Sequence, residues 1–226
     1  MPRHFKSPSR TISNKGEYPR FVGLLSSPKA TNPSPWYVEE GWGVVPFDSL
    51  SALICAIHLE WRRNVESFSF EKRAFSFSAT DQLPKLRCIP DFEVVLTTAE
   101  IGLVEAKYSE SELRPQERLK LELASRHAGE QGLFHEVIFR RTLEVNGFAD
   151  TIFLLRPYGL MEYPEAKLDT AFQRLSSFEV TDLATWRERA IDARVPIAVL
   201  YKLLYQQRLP LKYRHLQFIE MDKWHA

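Results

Sequence analysis

The sequence lacks the features of a membrane-spanning or secreted protein. Its 226 residues contain no apolar run of the roughly 20 residues that a transmembrane helix requires. Residues 1–6 lack the apolar stretch of a secretory signal. Cysteine is scarce as well: Cys55 and Cys88 each lie in an apolar run, which favours buried small side chains over a disulfide or a metal site. We therefore expect a cytoplasmic protein in a reducing compartment, with no membrane partner.

Charge of one sign is not in excess either. The net charge of +1 neither requires nor excludes a nucleic-acid partner, so the distribution of charge matters more than its sum. Basic residues gather near the start of the chain, among serine, proline and asparagine and without an apolar period: Arg3, Lys6, Arg10, Lys15 and Arg20. We expect residues 1–34 to form a flexible basic arm, which either follows DNA phosphates or is a solvated tail.

Apolar residues are abundant enough for two hydrophobic cores. With 44% hydrophobic residues, the chain can hold a mid-sized domain, expected at residues 35–160, and a smaller one at residues 161–226. In the first domain, Asp48 and Ser49 resemble a helix N-cap. The predicted order is helix, four strands, helix and strand, over residues 49–62, 65–70, 73–77, 89–96, 102–107, 115–131 and 134–139. This order indicates an α/β fold with a mixed sheet flanked by helices.

The later part of this domain carries two more detailed expectations. The helix at 115–131 is predicted to turn Leu119, Leu123 and Ala124 to the core and to stop at Gly132. The segment 149–155 is predicted to be a short buried segment, and its pattern leaves the type of element open.

Polar residues lie on two neighbouring predicted strands, 89–96 and 102–107. Side chains two apart on a strand point the same way, so Glu105 and Lys107 share one face. If the strands pair through the short turn between them, Asp91 comes alongside, and two carboxylates and one ammonium converge. Such oxygen ligands hold a hard divalent metal ion, and the lysine would handle an attacking water. The alternative is an exposed hairpin face with an ordinary ion pair.

Pro90 and Asp91, followed by Glu105, Ala106 and Lys107, resemble the PD-(D/E)xK nuclease core. The wider pattern resembles TnsA, the endonuclease subunit of heteromeric cut-and-paste transposases. The likeness runs over residues 45–158 and is carried by residues 45–50, 64–68, 90–92 with 104–107, and 120–142.

The resemblance implies a restriction-endonuclease-like mixed sheet and a magnesium-dependent site, with Mn²⁺ as a substitute. Asp91 and Glu105 would hold the metal, and the Ala106 backbone carbonyl between the site residues would be a third ligand. Lys107 would orient the nucleophile or neutralise the phosphate. Hydrolysis in this superfamily leaves a 5′-phosphate and a 3′-hydroxyl.

The partners implied by the resemblance are those of a transposition machinery. The substrate would be double-stranded DNA at the 5′ transposon ends. A DDE transposase of the TnsB type would cut and join the 3′ ends, and an AAA+ ATPase of the TnsC type would regulate the assembly. The location implied is the cytoplasm of a prokaryote, in association with the nucleoid.

The first helix departs from the TnsA pattern. TnsA proteins usually carry a glutamate there, and the matching position is Ala52. Glu60 lies eight residues later, ~12 Å along the axis, and is interpreted as a solvated charge beside Arg62. Two alternatives stay open because of this departure and the shortness of the motif. One is a catalytically weak adaptor that bridges transposase and regulator, and the other is a stand-alone defence or restriction nuclease.

The second domain is predicted to be winged-helix-like. Residues 162–165 form a linker, Asp182 caps a helix that contains Trp186, and Pro196 lies in the first turn of a helix at 195–204. Two short strands are expected at 209–211 and 216–219. Cations are expected to cluster near the second helix and the wing: Lys202, Arg208, Lys212, Arg214 and His215. They would contact DNA or dock the ATPase regulator, and neither interpretation is favoured.

Overall fold

The computed structural model describes residues 23–31, 38–39, 42–47, 49–70, 75–77, 86–145, 147–180 and 182–211. The strands are β1 Gly23–Ser27, β2 Val38–Glu39, β3 Trp42–Phe47, β4 Val65–Phe70, β5 Phe75–Phe77, β6 Leu86–Cys88, β7 Phe92–Leu96, β8 Ile101–Lys107 and β9 Phe134–Phe139. The helices are α1 Leu50–Trp61, α2 Pro115–Glu130, α3 Arg140–Val145, α4 Phe148–Gly159, α5 Glu165–Leu175, α6 Leu183–Asp192 and α7 Ile197–Tyr205, with a 3₁₀ turn at Glu110–Glu112. Within these ranges, no helix is long and apolar enough to cross a membrane.

The chain forms two compact units that divide between Arg140 and Arg141. The division lies about twenty residues before the predicted domain boundary at residue 160, so α4 groups with the second unit. The physical reason is that α4 buries Phe148, Ile152 and Leu155, and its main packing partner is α7.

The predicted basic arm at residues 1–34 is too long. Residues 1–22 lie outside the described part of the chain, but the apolar run from Gly23 forms β1, which pairs antiparallel with β3. The turn that follows β1 reaches the outer edge of β4: Ala30 forms a parallel bridge with Phe68, and the Thr31 N–H donates to the Phe68 carbonyl at 2.9 Å. This segment is therefore part of the first unit.

The central sheet of the first unit is mixed, as predicted. Its strand order is β4-β7-β8-β9, with antiparallel pairing up to β8 and parallel pairing between β8 and β9. Strands β5 and β6 form a separate two-stranded ribbon. The strand predicted at 89–96 is shorter than expected and begins at Phe92. The Ser49 hydroxyl accepts from the Ala52 N–H at 3.1 Å, which confirms the N-cap of α1 at that residue; Asp48 lies outside the described residues.

Aromatic side chains fill one side of this sheet. Phe47, Phe68 and Phe70 surround Phe92, with ring centroids 5.2–6.3 Å apart in the group, mostly edge to face. Burying each such ring contributes about 1.5–3 kcal/mol to folding. Phe92 directly follows Asp91, so this packing holds the start of β7 in place.

Helix α2 covers the other side, where Leu103 and Cys88 pack against Ala124 and Ala128. The prediction that Leu119 belongs to this core is wrong, because its side chain is 43% exposed. Ala124 lies five residues further on, which is about 140° around the helix, so the two side chains cannot face the same surface. The helix ends as predicted, with Gly132 in the left-handed conformation at φ +71°.

The described residues of the second unit are helical, and they include a helix that the sequence pattern did not predict, α5. The Asp182 carboxylate caps α6 by accepting from the Thr185 N–H at 2.8 Å, as predicted. Trp186 is fully buried, and its indole N–H donates to the Pro210 carbonyl at 2.7 Å. Residues 209–211 are irregular chain, so the strand predicted there is not formed. The strand predicted at 216–219 lies outside the described residues.

The two described members of the cation cluster predicted in this unit, Lys202 and Arg208, are engaged in contacts with α4 and α5. Lys202 donates to the Gly159 and Met161 carbonyls at 2.6 and 2.8 Å, where it caps the end of α4, and Arg208 pairs with two carboxylates of α5. The other three predicted members lie outside the described residues: Lys212, Arg214 and His215. The described members are therefore structural contacts.

Candidate metal and catalytic site

The register of β7 and β8 sets Asp91 opposite Glu105. Phe92 pairs with Val104, and the register continues regularly toward the turn. Asp91 directly precedes β7, so one more step of the same register aligns it with Glu105. Opposed residues of antiparallel strands project to the same face of the sheet. The hairpin thus brings the two predicted carboxylates to one end of the strand pair.

The Asp91 carboxylate is bound to the backbone of the motif. Its Oδ2 accepts from the Ala106 N–H at 2.7 Å, at the point where the backbone of β7 no longer runs beside β8. In an extended strand the N–H and carbonyl of one residue point to the same side. The Ala106 carbonyl is therefore directed to the side on which Asp91 lies, which is the orientation that a third metal ligand would need.

Glu105 is the more deeply buried of the two acids of the candidate site. It is only 5% exposed, and its Oε1 accepts from the Lys107 ammonium at 2.8 Å. Its Oε2 is buried and has no hydrogen-bond partner among the described residues. A buried oxygen without a partner costs about 1–3 kcal/mol, and more when it is charged. A divalent cation would remove this penalty, so the residues fit a bound Mg²⁺.

The Lys107 ammonium is held in its charged form. Burial pulls its pKa down, but the charge and hydrogen bond of Glu105, with the charges of Asp91 and Glu117, outweigh burial and raise the pKa above its ordinary value. A protonated lysine donates hydrogen bonds and cannot accept a proton from water. Both roles predicted for Lys107, orienting the nucleophile and neutralising charge on the phosphate, are compatible with a protonated side chain.

His135 also lies beside the site, and the sequence pattern did not single it out. It pairs with Leu103 in the parallel register of β8 and β9, so it shares the face of Glu105. Burial lowers the pKa of His135, although the charges of Glu105 and Glu136 act in the opposite direction. The alternation of strand 134–139 shows that His135 faces away from Glu136, but only the pairing with β8 reveals which neighbour it meets.

The prediction that Glu60 is a solvated charge is wrong, because it is only 5% exposed. Its charge acts on Lys29, whose pKa is lowered by burial, raised in part by Glu60 and lowered further by Arg62. The Lys29 ammonium donates to the Arg62 carbonyl at 2.7 Å. Lys29 comes from the segment that extends the sheet beyond β4, so sequence spacing along α1 could not predict this neighbour.

The helix position that carries a glutamate in TnsA is part of the core. Ala52 is buried in α1. One turn further on, burial and then the charges of Asp91 and Glu136 raise the pKa of the Cys55 thiol well above its ordinary value. Cys55 is therefore an inert, buried side chain, as the sequence predicted. Neither residue adds a ligand.

The site thus offers two carboxylates and a backbone carbonyl. In the described ranges, no group of three or more histidine, cysteine, aspartate and glutamate side chains is arranged to hold a metal ion. A comparison with protein-family models finds no match, and a comparison with curated proteins finds none either. The resemblance to TnsA therefore stays a prediction that depends on the motif and its geometry.

Proposed function

We propose that the chain is a metal-dependent endodeoxyribonuclease subunit that cuts the 5′ ends of a transposon by phosphodiester hydrolysis. One observation carries the proposal. The carboxylate of Asp91 is bound to Ala106, within a motif whose neighbour Glu105 pairs with Lys107 and keeps a buried oxygen without a partner among the described residues. A divalent cation would satisfy this oxygen.

Each residue has a distinct task in the proposed reaction. Asp91, Glu105 and the Ala106 carbonyl would hold Mg²⁺, which when bound lowers the pKa of water and neutralises charge on the phosphate. The charged Lys107 would donate a hydrogen bond to the water or to a non-bridging phosphate oxygen, where negative charge grows in the transition state. Water adds to phosphorus and the bond to the 3′ oxygen breaks, leaving a 5′-phosphate and a 3′-hydroxyl.

The finer identity belongs to the same proposal. It includes a restriction-endonuclease-like fold, a winged-helix-like second domain, a TnsB-like transposase and a TnsC-like ATPase as partners, and action in the prokaryotic cytoplasm at the nucleoid. The mixed β4-β7-β8-β9 sheet with helices packed on it supports the first of these. The order of elements predicted from the sequence supports the winged-helix-like domain, and the resemblance supports the others.

A catalytically weak adaptor is the second candidate, and Ala52 favours it. A buried alanine stands where TnsA has an acid, so a second metal would have one ligand fewer. An adaptor would bridge transposase and regulator on DNA without cutting it. A stand-alone defence nuclease is distinguished by its gene neighbourhood, which would lack transposase and AAA+ ATPase genes.

The proposal is tested by the variants Asp91→Asn and Lys107→Ala in an excision assay at the 5′ ends, with partner subunits and Mg²⁺ present. Asparagine keeps an oxygen for the Ala106 N–H and removes the charge. We expect 5′ cleavage to fall by about 10²–10⁴-fold in each variant. The matched control is Glu66→Gln, an exposed carboxylate on β4. Unchanged cutting in both site variants would end the catalytic assignment, and intact assembly without cutting by the wild type would favour the adaptor.

A further inference from the structure

An open pocket of about 210 Å³ lies in the second unit, between α5 and the start of α7. Its polar rim comes from α5 and from the residues before α7: Lys167, Thr170, Arg174 and Arg194. Its base is apolar and includes Val195 and Val199. The residues that line it include three cations and no acid.

The charge of the three pocket cations is not neutralised by a neighbouring carboxylate in the described residues. Within the described residues, Lys167, Arg174 and Arg194 form no ion pair. Lys167 has a neutral neighbour in the Tyr163 ring, 5.9 Å from its ammonium. The three side chains therefore present net positive charge to whatever enters the pocket.

The faces of α5 explain how this charge arises. Glu165 and Asp169 lie on one face, and both bind Arg208 at 2.6 Å. Lys167, Thr170 and Arg174 follow at intervals of three and four residues, which places them on another face. The acids of α5 therefore lie on the face that binds Arg208, and the opposite face carries two cations and a threonine but no acid.

The chemistry of the pocket suits a phosphodiester backbone. Arginine forks match phosphate oxygens, and the N-terminal turn of α7 has a partial charge of the same sign. Seven residues separate Lys167 from Arg174, or about 10.5 Å along the helix axis. This span is longer than one phosphate group, so the side chains along it can contact more than one phosphate of a strand. A single carboxylate would occupy only part of it.

We infer that the Lys167, Arg174 and Arg194 pocket binds the sugar-phosphate backbone of DNA, and this inference rests on the proposed function because it assumes a DNA substrate. The lining contains no asparagine, glutamine or acid that would read adenine or cytosine, and cations that contact phosphates carry no sequence information, so we expect binding that is independent of sequence. The pocket holds the second unit on the duplex on which the first unit acts.

The test is a binding titration with the full chain and a fluorescein-labelled 20-base-pair duplex of arbitrary sequence, in EDTA, over a range of salt concentrations. The variant carries Lys167→Gln, Arg174→Gln and Arg194→Asn; asparagine tolerates the left-handed backbone at φ +53°. We expect the slope of log K against log salt to fall in magnitude by about 3, and affinity near 0.1 M salt to weaken by a factor on the order of 100.

The matched control compares Arg174→Gln with Arg187→Gln, since both are exposed helical arginines and only the first lines the pocket. The pocket variant is expected to lower the slope by about 1, and the control to leave it unchanged. Equal effects of the two variants, or an unchanged slope in the triple variant, would overturn the inference. Loss of binding to a poly-glutamate peptide with unchanged DNA affinity would also overturn it and would indicate an acidic protein partner.

Because EDTA removes Mg²⁺, the titration measures DNA binding without cleavage, and its result does not depend on the proposed nuclease activity. A chain that binds DNA through the pocket and never cuts it refutes the nuclease proposal and leaves the pocket assignment standing. A chain that cuts DNA while the triple variant keeps the wild-type salt slope refutes the pocket assignment alone.

Discussion

Two ion pairs lie on opposite faces of the same pair of strands. Arg62 binds Glu136 at 2.7 Å, and Lys107 binds Glu105 at 2.8 Å. Glu136 pairs with Val104 in the sheet, so it faces away from Glu105. The distances are nearly equal, but the surroundings differ.

We call an ion pair closed when all its buried polar atoms have partners, and open when one does not; the Arg62 pair is closed and the Glu105 pair is open. Arg62 also donates to Asn64 at 3.3 Å, and neither Arg62 nor Glu136 has a buried polar atom without a partner in the described chain. Glu105 has such an atom in its Oε2, again counting the described residues only. A closed pair contributes to the structure of the first unit, whereas the Glu105 oxygen could still accept a cation, as proposed above. Distance alone does not distinguish a structural ion pair from a functional one.

The largest expected effect breaks the open pair. Glu105→Gln removes the charge that would hold the metal, so we expect 5′ cleavage to drop by about 10³-fold with partners and Mg²⁺ present. The free energy of unfolding, measured by urea titration, should change by less than about 1 kcal/mol, because the amide fills the same space. A loss of several kcal/mol in stability with full cleavage would reverse the roles assigned to the two pairs.

Breaking the closed pair has the second largest effect. Arg62→Met leaves the partly buried Glu136 carboxylate without its partner, and we expect a loss of up to about 3–5 kcal/mol in the free energy of unfolding. The double variant Arg62→Met with Glu136→Leu should recover most of that loss, because no buried charge remains. Urea unfolding of both variants checks this. Equal stability of single and double variants would mean that the pair is not coupled.

Metal addition should distinguish the two pairs with a smaller effect. At 100 times its dissociation constant, Mn²⁺ should stabilise the wild type by about 2.7 kcal/mol, seen as a higher midpoint of thermal unfolding. Arg62→Met should keep this increment on its lower baseline, and Asp91→Asn should lose it. An increment that persists in Asp91→Asn would place the metal elsewhere.

The smallest expected effect concerns a carboxylate that is satisfied and exposed. Hydrogen bonds with Thr185, side-chain and then backbone, lower the pKa of Asp182 below its ordinary value. Its contribution is therefore present above the unfolded-state pKa and is lost as pH falls through the lowered pKa of the folded state. Asp182→Ala should cost about 1 kcal/mol near pH 7 and less as pH falls through the lowered pKa, measured by urea unfolding over the acid range. A cost that does not vary with pH would exclude the charged cap.

Local patterns predicted the half of the site that depends on short-range geometry. The alternation along β8 places Glu105 beside Lys107, and one short turn fixes the register that brings Asp91 opposite. The cap at Ser49 and the stop at Gly132 follow from local backbone chemistry. Each of these features involves residues close together in sequence, so propensity and periodicity suffice.

The remaining features depend on contacts between distant segments. His135 meets the site only through the parallel pairing of β9 with β8, and Glu60 interacts with Lys29, about thirty residues earlier in the chain. The division at Arg140 follows from the packing of α4 on α7. No spacing along the chain encodes these partners, because each one is selected by tertiary packing.

The most direct test of the metal site is a crystal structure of the chain grown with Mn²⁺ and duplex DNA, with the metal located by its anomalous scattering. The account predicts a peak bound by oxygens of both Asp91 and Glu105, at about the 2.1 Å typical of Mg²⁺ coordination, with the Ala106 carbonyl beside it. An ordered site in which these two carboxylates bind no metal, at Mn²⁺ concentrations that support cleavage, would contradict it.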